Sequence, residues 1–311
     1  MEKQIWRIGS RESKLAVAQT NLVIEEIKKK RPDIQIELVT FKTTGDKILH
    51  KTLDKVGGKG LFVKELDQAL MDGRIDLAVH SLKDVPMEEN EELPIVAYVK
   101  RGDPRDVLVL PNSSEQGEIY KNEKDAFWLS CVGTSSMRRK LQLQKLWGTA
   151  QVKSVRGNIH TRLKKLEDGE YHALILAAAG LIREGLEKKI SYYFEPEEML
   201  PAAGQGILAV QCRKDFPEEE IMWLNDRETE IAAKAERGFV RALNGGCSSP
   251  VAAYAKVKEN EICLRGLYYR ESDGFWTIGE KIGCILPDQA AISARKLGEE
   301  LADTMKRNHG F

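Results

Sequence analysis

The sequence predicts an α/β protein of two similar lobes, followed by a small α+β domain. Three observations predict it. Strand-like apolar segments alternate with helical ones from Gln4 to Cys212, the pattern of parallel sheets covered by helices. Breaks containing Gly and Pro fall at Arg101–Asp106 and again at Leu200–Gly206, so the chain leaves the first lobe and later returns to it. After residue 223 the alternation stops, and a helix, three strands in a row and a last helix follow. The predicted domains are residues 1–100 with 201–222, residues 101–200, and residues 223–311.

In the first lobe, Gln4–Ile8 is a strand and Gly9-Ser10-Arg11 the turn after it. Ser13 caps a helix whose stripe is Leu15, Ala18, Leu22 and Ile27. The helix ends in Lys28-Lys29-Lys30-Arg31-Pro32. Those cations compensate the helix dipole and the proline stops the helix, so the run is a solvated helix end and not a nucleic-acid patch. Ile34–Phe41 alternates as a strand and completes a β-α-β opening. Thr43–Gly60 is polar and Gly-rich, carries Lys55 and Lys59, and matches neither G-x-x-x-x-G-K-[ST] nor G-x-G-x-x-G. A loop of this length is expected to be a lid or a mobile segment. Leu61–Met71 is a helix and Ile75–Val79 a buried strand. His80-Ser81-Leu82-Lys83-Asp84-Val85-Pro86 lies at that strand's carboxyl end, the usual ligand position of an α/β sheet. Read alone, the same heptapeptide is equally a charged loop in which Lys83 pairs with Asp84. Leu93–Lys100 is a further strand.

The second lobe repeats the plan. Beyond the polar segment Asn112–Asp125, Trp128–Val132 is a strand, and Gly133-Thr134-Ser135-Ser136-Met137-Arg138-Arg139 opens a helix through Trp147. Backbone N–H groups, hydroxyls and the helix dipole make an anion site there, and guanidinium forks match carboxylate or phosphate. Val152–Val155 is a strand followed by Arg156-Gly157-Asn158 and a helix bearing Arg162. Tyr171–Ala177 is a strand followed by a short helix bearing Arg183. Ile207–Cys212 is expected to return to the first lobe as a strand.

Thr229–Leu243 is a helix that delivers Gly245-Gly246-Cys247-Ser248-Ser249-Pro250. Two glycines and a proline make a tight exposed turn, so the thiol sits at a loop tip; a structural turn and grafted chemistry are both open readings. Val251–Lys258, Glu261–Tyr269 and Phe275–Gly283 read as antiparallel strands, and Asp288–Arg307 as the last helix.

Composition narrows the function classes. The chain has 311 residues, enough for two or three cores, with 42% apolar and 31% charged residues. Lys and Arg total 48 and Asp and Glu total 48, so no global charge draws the protein to nucleic acid or an anionic membrane, and an anion site has to be local. Met1–Trp6 runs straight into a strand with no leader pattern, and the most apolar run, Ala173–Ile182, is too short to span a bilayer. The five cysteines contain no C-x-x-C pair, which predicts free thiols in a reducing cytoplasm. His50, His80, His160, His172 and His309 show no ligand spacing, so no metal is expected.

What remains is a constellation. Arg11, Arg138, Arg139, Arg156, Arg162 and Arg183 stand beside turns, nearly all at strand ends, with Lys55, Lys59 and Lys83. One acid, Asp84, stands among them. A neutral chain with a cationic cleft between two lobes suits a small polyanion, and a carboxylate in that field is placed to orient or relay a proton.

On these residues the chain resembles the hydroxymethylbilane synthase (porphobilinogen deaminase) family over nearly its full length. The matching stretches are Arg7–Gln19, Val56–Pro86, Gly133–Arg139, Val155–Arg162, Leu200–Gly206 and Gly245–Pro250. Departures are Ser248-Ser249 after the cysteine and the segment Asn112–Asp125. The resemblance implies lobes of the bilobal periplasmic-binding-protein type with a third α+β domain. It implies a transferase that joins four porphobilinogen units head to tail, with loss of ammonia, to the linear tetrapyrrole hydroxymethylbilane of haem and porphyrin biosynthesis.

It also implies a dipyrromethane cofactor, attached by a thioether to Cys247 and serving as primer. Asp84 is then the catalytic carboxylate. Lys59, Ser81, Lys83, Asp84, Thr134, Ser136, Arg138, Arg139 and Arg183 would hold the cofactor, while Arg11, Gln19, Lys55, Arg156, Arg162 and Gln205 would meet substrate and growing chain. The expected partners are porphobilinogen and the growing polypyrrole chain, with no nucleic acid, membrane or obligate protein partner, in a cytoplasmic monomer. The rival reading of the residues is a two-lobed anion receptor without catalysis, which requires neither Asp84 nor Cys247.

Overall fold

The computed structural model describes residues 4–47, 60–111, 127–245, 250–270 and 272–310. Among them the strands are, in chain order, β1 (Ile5–Arg11), β2 (Gln35–Phe41), β3 (Leu77–Ser81), β4 (Ile95–Val99), β5 (Asp106–Val109), β6 (Val132–Gly133), β7 (Val152–Lys153), β8 (Ala173–Ala177), β9 (Tyr192–Phe194), β10 (Leu208–Cys212), β11 (Ala252–Lys258), β12 (Glu261–Tyr269) and β13 (Trp276–Cys284). They form three sheets, ordered β2-β1-β3-β10-β4, β7-β6-β8-β5-β9 and β11-β12-β13.

The first two sheets share one topology. In the first, β1 is parallel to β2 and β3, and β10 is antiparallel to β3 and β4. In the second, β6 is parallel to β7 and β8, and β5 is antiparallel to β8 and β9. In each lobe the antiparallel inner strand is the one the chain enters directly after crossing over. Residues 100–105 lead into β5, and residues 195–207 lead into β10. The fold is α/β with two lobes plus a small C-terminal α+β domain, as the alternation predicts. β8 is buried from Ala173 to Leu176 because apolar clusters cover both faces of its sheet, one around Val107, Leu163 and Leu174 and the other around Leu108, Ile175 and Phe194.

Local chemistry explains the helix starts. The side chains of Ser13, Ser136, Asn158 and Asp226 each accept a backbone N–H three residues on, the N-cap bond. The third domain is the antiparallel β11-β12-β13 meander, packed with helices Arg227–Ala242 and Ala290–His309 around Phe239, Leu264 and Leu301.

Four expectations are corrected. β1 does not turn at Gly9; its ladder with β2 continues to Arg11 opposite Phe41. The helix Lys14–Lys30 buries Gln19, Thr20, Val23, Ile24 and Ile27, while Leu22 is 43% exposed, because the sheet takes the face that brings Gln19 to Ser81. Phe127–Ser130 is a 3-10 turn, and only Val132 and Gly133 find strand partners. The helix expected from Leu61 starts at Lys64. Among the described residues no helix is long and apolar enough to cross a membrane.

Candidate active site

The first lobe brings its residues to the carboxyl ends of β1 and β3. Arg11 ends β1, with its guanidinium carbon 4.3 Å from the centroid of the Phe62 ring, a cation–π contact. Ser81 ends β3 and donates its hydroxyl to Gln19 Oε1 at 3.0 Å. The chain then turns through the 3-10 segment Leu82–Asp84. Leu82 N–H donates to Ile207 O at 3.0 Å, and Val85 N–H closes the turn on Leu82 O at 3.1 Å. Buried Arg237, from the third domain's helix, donates to Val85 O at 3.2 Å and to Pro86 O. Lys83 and Asp84 therefore stand, half-buried, on a turn fixed from both sides.

His80 lies just before this turn. Gln211 Nε2 donates to Leu93 O, so Gln211 Oε1 faces His80 Nε2, at 3.0 Å, and the imidazole donates there. Burial, with a smaller push from Arg11, holds His80 down at about 4, so the ring is a neutral structural group at neutral pH. Among the described residues no cluster of three His, Cys, Asp or Glu could hold a metal ion.

The second lobe supplies cations from the ends of β6, β7 and β8. Thr134 Oγ1 accepts Ser136 N–H at 3.2 Å, and Ser136 Oγ accepts Arg139 N–H at 3.5 Å, which starts the helix Met137–Leu146. Arg138 and Arg139 lie in its first turn, and both meet Asp106, at 2.6 and 2.8 Å. Arg138 also donates to Leu200 O at 2.7 Å, and Arg139 to Ile175 O at 3.0 Å. Arg156 follows β7. Arg162, on the helix Ile159–Glu167, donates Nε to Gly157 O at 2.8 Å. Arg183 ends the helix Ala178–Arg183 and donates to Gly206 O at 2.5 Å.

The charges sense one another across the lobes. Burial pushes Lys83 down to about 8; Asp84 and Asp106 oppose this, while Arg139 and Arg138 add to it. Burial likewise pulls Arg162 down to about 10, with Arg139 and Arg156 repelling it and Asp84 attracting it. Arg183 is brought to about 10 by burial. Buried cations whose charged forms are disfavoured mainly by burial are stabilised by a carboxylate-rich ligand that reaches them.

The two crossovers meet beside these cations. Gly102 N–H donates to Gly206 O at 3.1 Å, and Arg101 Nε to Gln205 O at 2.9 Å. Gln205 is 1% exposed, and its Nε2 donates to Pro104 O at 2.7 Å and Asp106 Oδ1 at 2.9 Å. Both partners are acceptors, which pins the amide's orientation and leaves its buried Oε1 without a partner among the described residues. Glu236 of the third domain accepts Arg101 at 2.6 Å.

Of the residues expected at the site, Arg11, Ser81, Lys83, Asp84, Thr134, Ser136 and Arg156 stand at or just after strand ends, Gln205 stands in the second crossover, and Gln19, Arg138, Arg139, Arg162 and Arg183 stand on helices. Lys55, Lys59 and Cys247, most of the expected lid and the segment Asn112–Asp125 lie outside the described residues. Sequence reasoning missed Arg101, Asp106, Glu236 and Arg237. The first two were signalled only by their place in the break Arg101–Asp106. Glu236 and Arg237 carried a weaker signal, as charged residues within an otherwise apolar helix face.

Comparison with known proteins converges on one family. The family model described as "Porphobilinogen deaminase, dipyromethane cofactor binding domain" matches residues 6–221, and that described as "Porphobilinogen deaminase, C-terminal domain" matches residues 231–307. A porphobilinogen deaminase of Ruminiclostridium cellulolyticum is 53% identical over 86% of this chain and 88% of its own length. One of Alkaliphilus oremlandii is 52% identical over 95% of this chain and 93% of its own. Among solved structures, the periplasmic aliphatic sulphonate binding protein SsuA from Escherichia coli aligns with a TM-score of 0.40 and 12% identity, over 78% of this chain and 71% of that one. With both family models matched in order, and relatives more than half identical across most of the length, the chain belongs to the porphobilinogen deaminase family.

Proposed function

We infer that the chain catalyses the family's reaction. It is a transferase that joins four porphobilinogen units head to tail, with loss of ammonia, to give hydroxymethylbilane for haem and porphyrin biosynthesis. One observation carries this reading: Lys83 and Asp84 on the first lobe's turn share one field with Arg138, Arg139, Arg162 and Asp106 of the second lobe. Each porphobilinogen brings an acetate and a propionate, so a growing chain supplies carboxylates suited to such a field.

The residues also fit a dipyrromethane cofactor. The paired guanidiniums of Arg138 and Arg139 suit its pyrrole carboxylates, while Gln205 Oε1, buried and without a partner among the described residues, suits a pyrrole N–H of the growing chain. When bound, the cofactor supplies the free pyrrole α-carbon to which the first new unit adds. We assign its thioether to Cys247 and its other contacts to Lys59, Ser81, Lys83, Asp84, Thr134, Ser136, Arg138, Arg139 and Arg183. Arg11, Gln19, Lys55, Arg156, Arg162 and Gln205 are assigned to substrate and growing chain.

Asp84 is the catalytic residue of this reading. As ammonia leaves the substrate's aminomethyl group, positive charge spreads to the pyrrole nitrogen, and a carboxylate held on a rigid turn stabilises it without reorganising. An anion receptor would need no such carboxylate, and no Arg237 clamp behind it. We place the reaction in the cytoplasm, where thiols such as those of Cys131, Cys212, Cys263 and Cys284 stay reduced.

Intact mass under denaturing conditions, before and after porphobilinogen is added, tests the reading. The expected result is an adduct of two pyrrole units on the Cys247 peptide that grows in single-pyrrole steps. Cys247→Ala carries no adduct, and Asp84→Ala keeps it while turnover falls about a hundredfold or more. A bare-chain mass that persists through long incubation with substrate overturns the reading.

A further inference from the structure

Arg138 and Arg139 sit side by side, both buried, in the first turn of a helix whose N-terminus already carries partial positive charge. Adjacent guanidiniums there repel each other and need an internal anion. Asp106, with none of its surface exposed, supplies it. Its Oδ2 takes Arg138 Nη1 at 2.6 Å. Its Oδ1 takes Arg139 Nη2 at 2.8 Å, Arg139 Nε at 3.1 Å and Gln205 Nε2 at 2.9 Å.

This cluster is also the place where the arginines meet the crossovers. Asp106 is the residue at which the first crossover becomes β5. Gln205 belongs to the second crossover and bonds Pro104 O in the first. Arg138 Nη1 reaches Leu200 O, and Gln142, one turn along the same helix, exchanges hydrogen bonds with Leu200 N–H and O.

We propose that Asp106 is a positioning residue of the reaction: it fixes Arg138 and Arg139 to the crossovers, so that the N–H groups it does not take are presented to ligand carboxylates. Two cations and one anion leave the cluster with a single net positive charge, which an incoming carboxylate neutralises. Asp106 is too deeply buried to meet that ligand, so it acts only through the arginines. Burial by itself would raise its carboxyl, but the two guanidiniums outweigh burial and hold it well below the usual carboxylate range. The ligand's identity rests on the function proposed above.

The experiment uses the full chain in its cofactor-free form, and follows pyrrole uptake from porphobilinogen by intact mass, with the melting transition recorded alongside. Asp106→Asn and Asp106→Ala are expected to melt cooperatively and to take up pyrroles about a hundredfold more slowly than the wild-type chain. Formate fits the gap left by alanine. It is expected to restore uptake in Asp106→Ala, where chloride at equal ionic strength does not, and to leave Asp106→Asn slow. Uptake at the wild-type rate in either variant overturns the proposal, as does an equal effect of formate and chloride. Loss of cooperative melting in both variants also overturns it, since Asp106 would then serve folding alone. Should only the alanine variant fail to fold, the rate in Asp106→Asn decides. A wild-type chain that takes up no pyrrole sinks the functional reading instead, and the two failures are thereby told apart.

Discussion

Lys83 is a cation placed where it titrates close to neutrality. Burial brings it from its ordinary 10.5 to about 8, against the pull of Asp84 and Asp106 and with the push of Arg139 and Arg138. Between about 8 and 10.5 the unfolded chain binds the proton that the folded chain has lost, so stability from this group rises with pH across that window; below about 8 its cost is fully present. Binding of carboxylates runs the other way. An added anion favours the ammonium, so binding is coupled to proton uptake by Lys83, and capture weakens as pH rises through about 8. Pyrrole uptake by the cofactor-free chain is therefore expected to fall above that pH. Lys83→Arg, whose guanidinium stays charged, is expected to flatten the fall. An unchanged alkaline limb in Lys83→Arg assigns the limb to another group. Lys83 and Asp84 were legible only as candidates, because they come soon after a predicted strand, where α/β sheets place ligands, while the same segment read alone was equally a charged loop. Asp106 was not, because its partners lie 32 and 33 residues away and only the fold joins them.

At the scale of elements, the crossovers decide how the lobes are joined. Gly206 has φ +88°, and a Cβ there would come within 2.7 Å of Gly102 O, a backbone atom that cannot step aside. The same residue's carbonyl accepts Gly102 N–H and Arg183. Gly206→Ala is expected to cost about 1–3 kcal/mol from backbone strain alone, and more from the clash, read as a lower denaturant midpoint of the cofactor-free chain. An unchanged midpoint would show that the crossovers part freely. The Gly and Pro content of Leu200–Gly206 made the return legible, and the cap at Ser13 made the first helix start legible, because both signals are local. Trp128–Val132 misled for the opposite reason. Apolar runs of that length suit a strand or a turn equally, and the choice fell to which residues found partners on β7 and β8.

Across the whole molecule, one buried carboxylate joins the third domain to both crossovers. Glu236 has no exposed side-chain surface, and it meets Arg101 at 2.6 Å, itself only 12% exposed. Glu236 also accepts Gly204 N–H at 2.7 Å in the second crossover and Ala255 N–H at 2.8 Å in β11. Removing one partner of such a pair leaves the other charge buried and uncompensated, which costs about 3–5 kcal/mol. Glu236→Met and Arg101→Met are each expected to destabilise by that order. The double variant removes both charges at once and leaves two orphaned N–H groups, so its loss is expected to be smaller than the sum of the single losses. A chain with several domains has no single unfolding free energy, so amide hydrogen exchange at Gly204 and Ala255 is the sharper readout. In Glu236→Met both amides should exchange faster together, one in each unit that the carboxylate joins. If Ala255 alone speeds up, the third domain loosens without the crossover, and Glu236 stabilises its own domain and does not join it to the lobes.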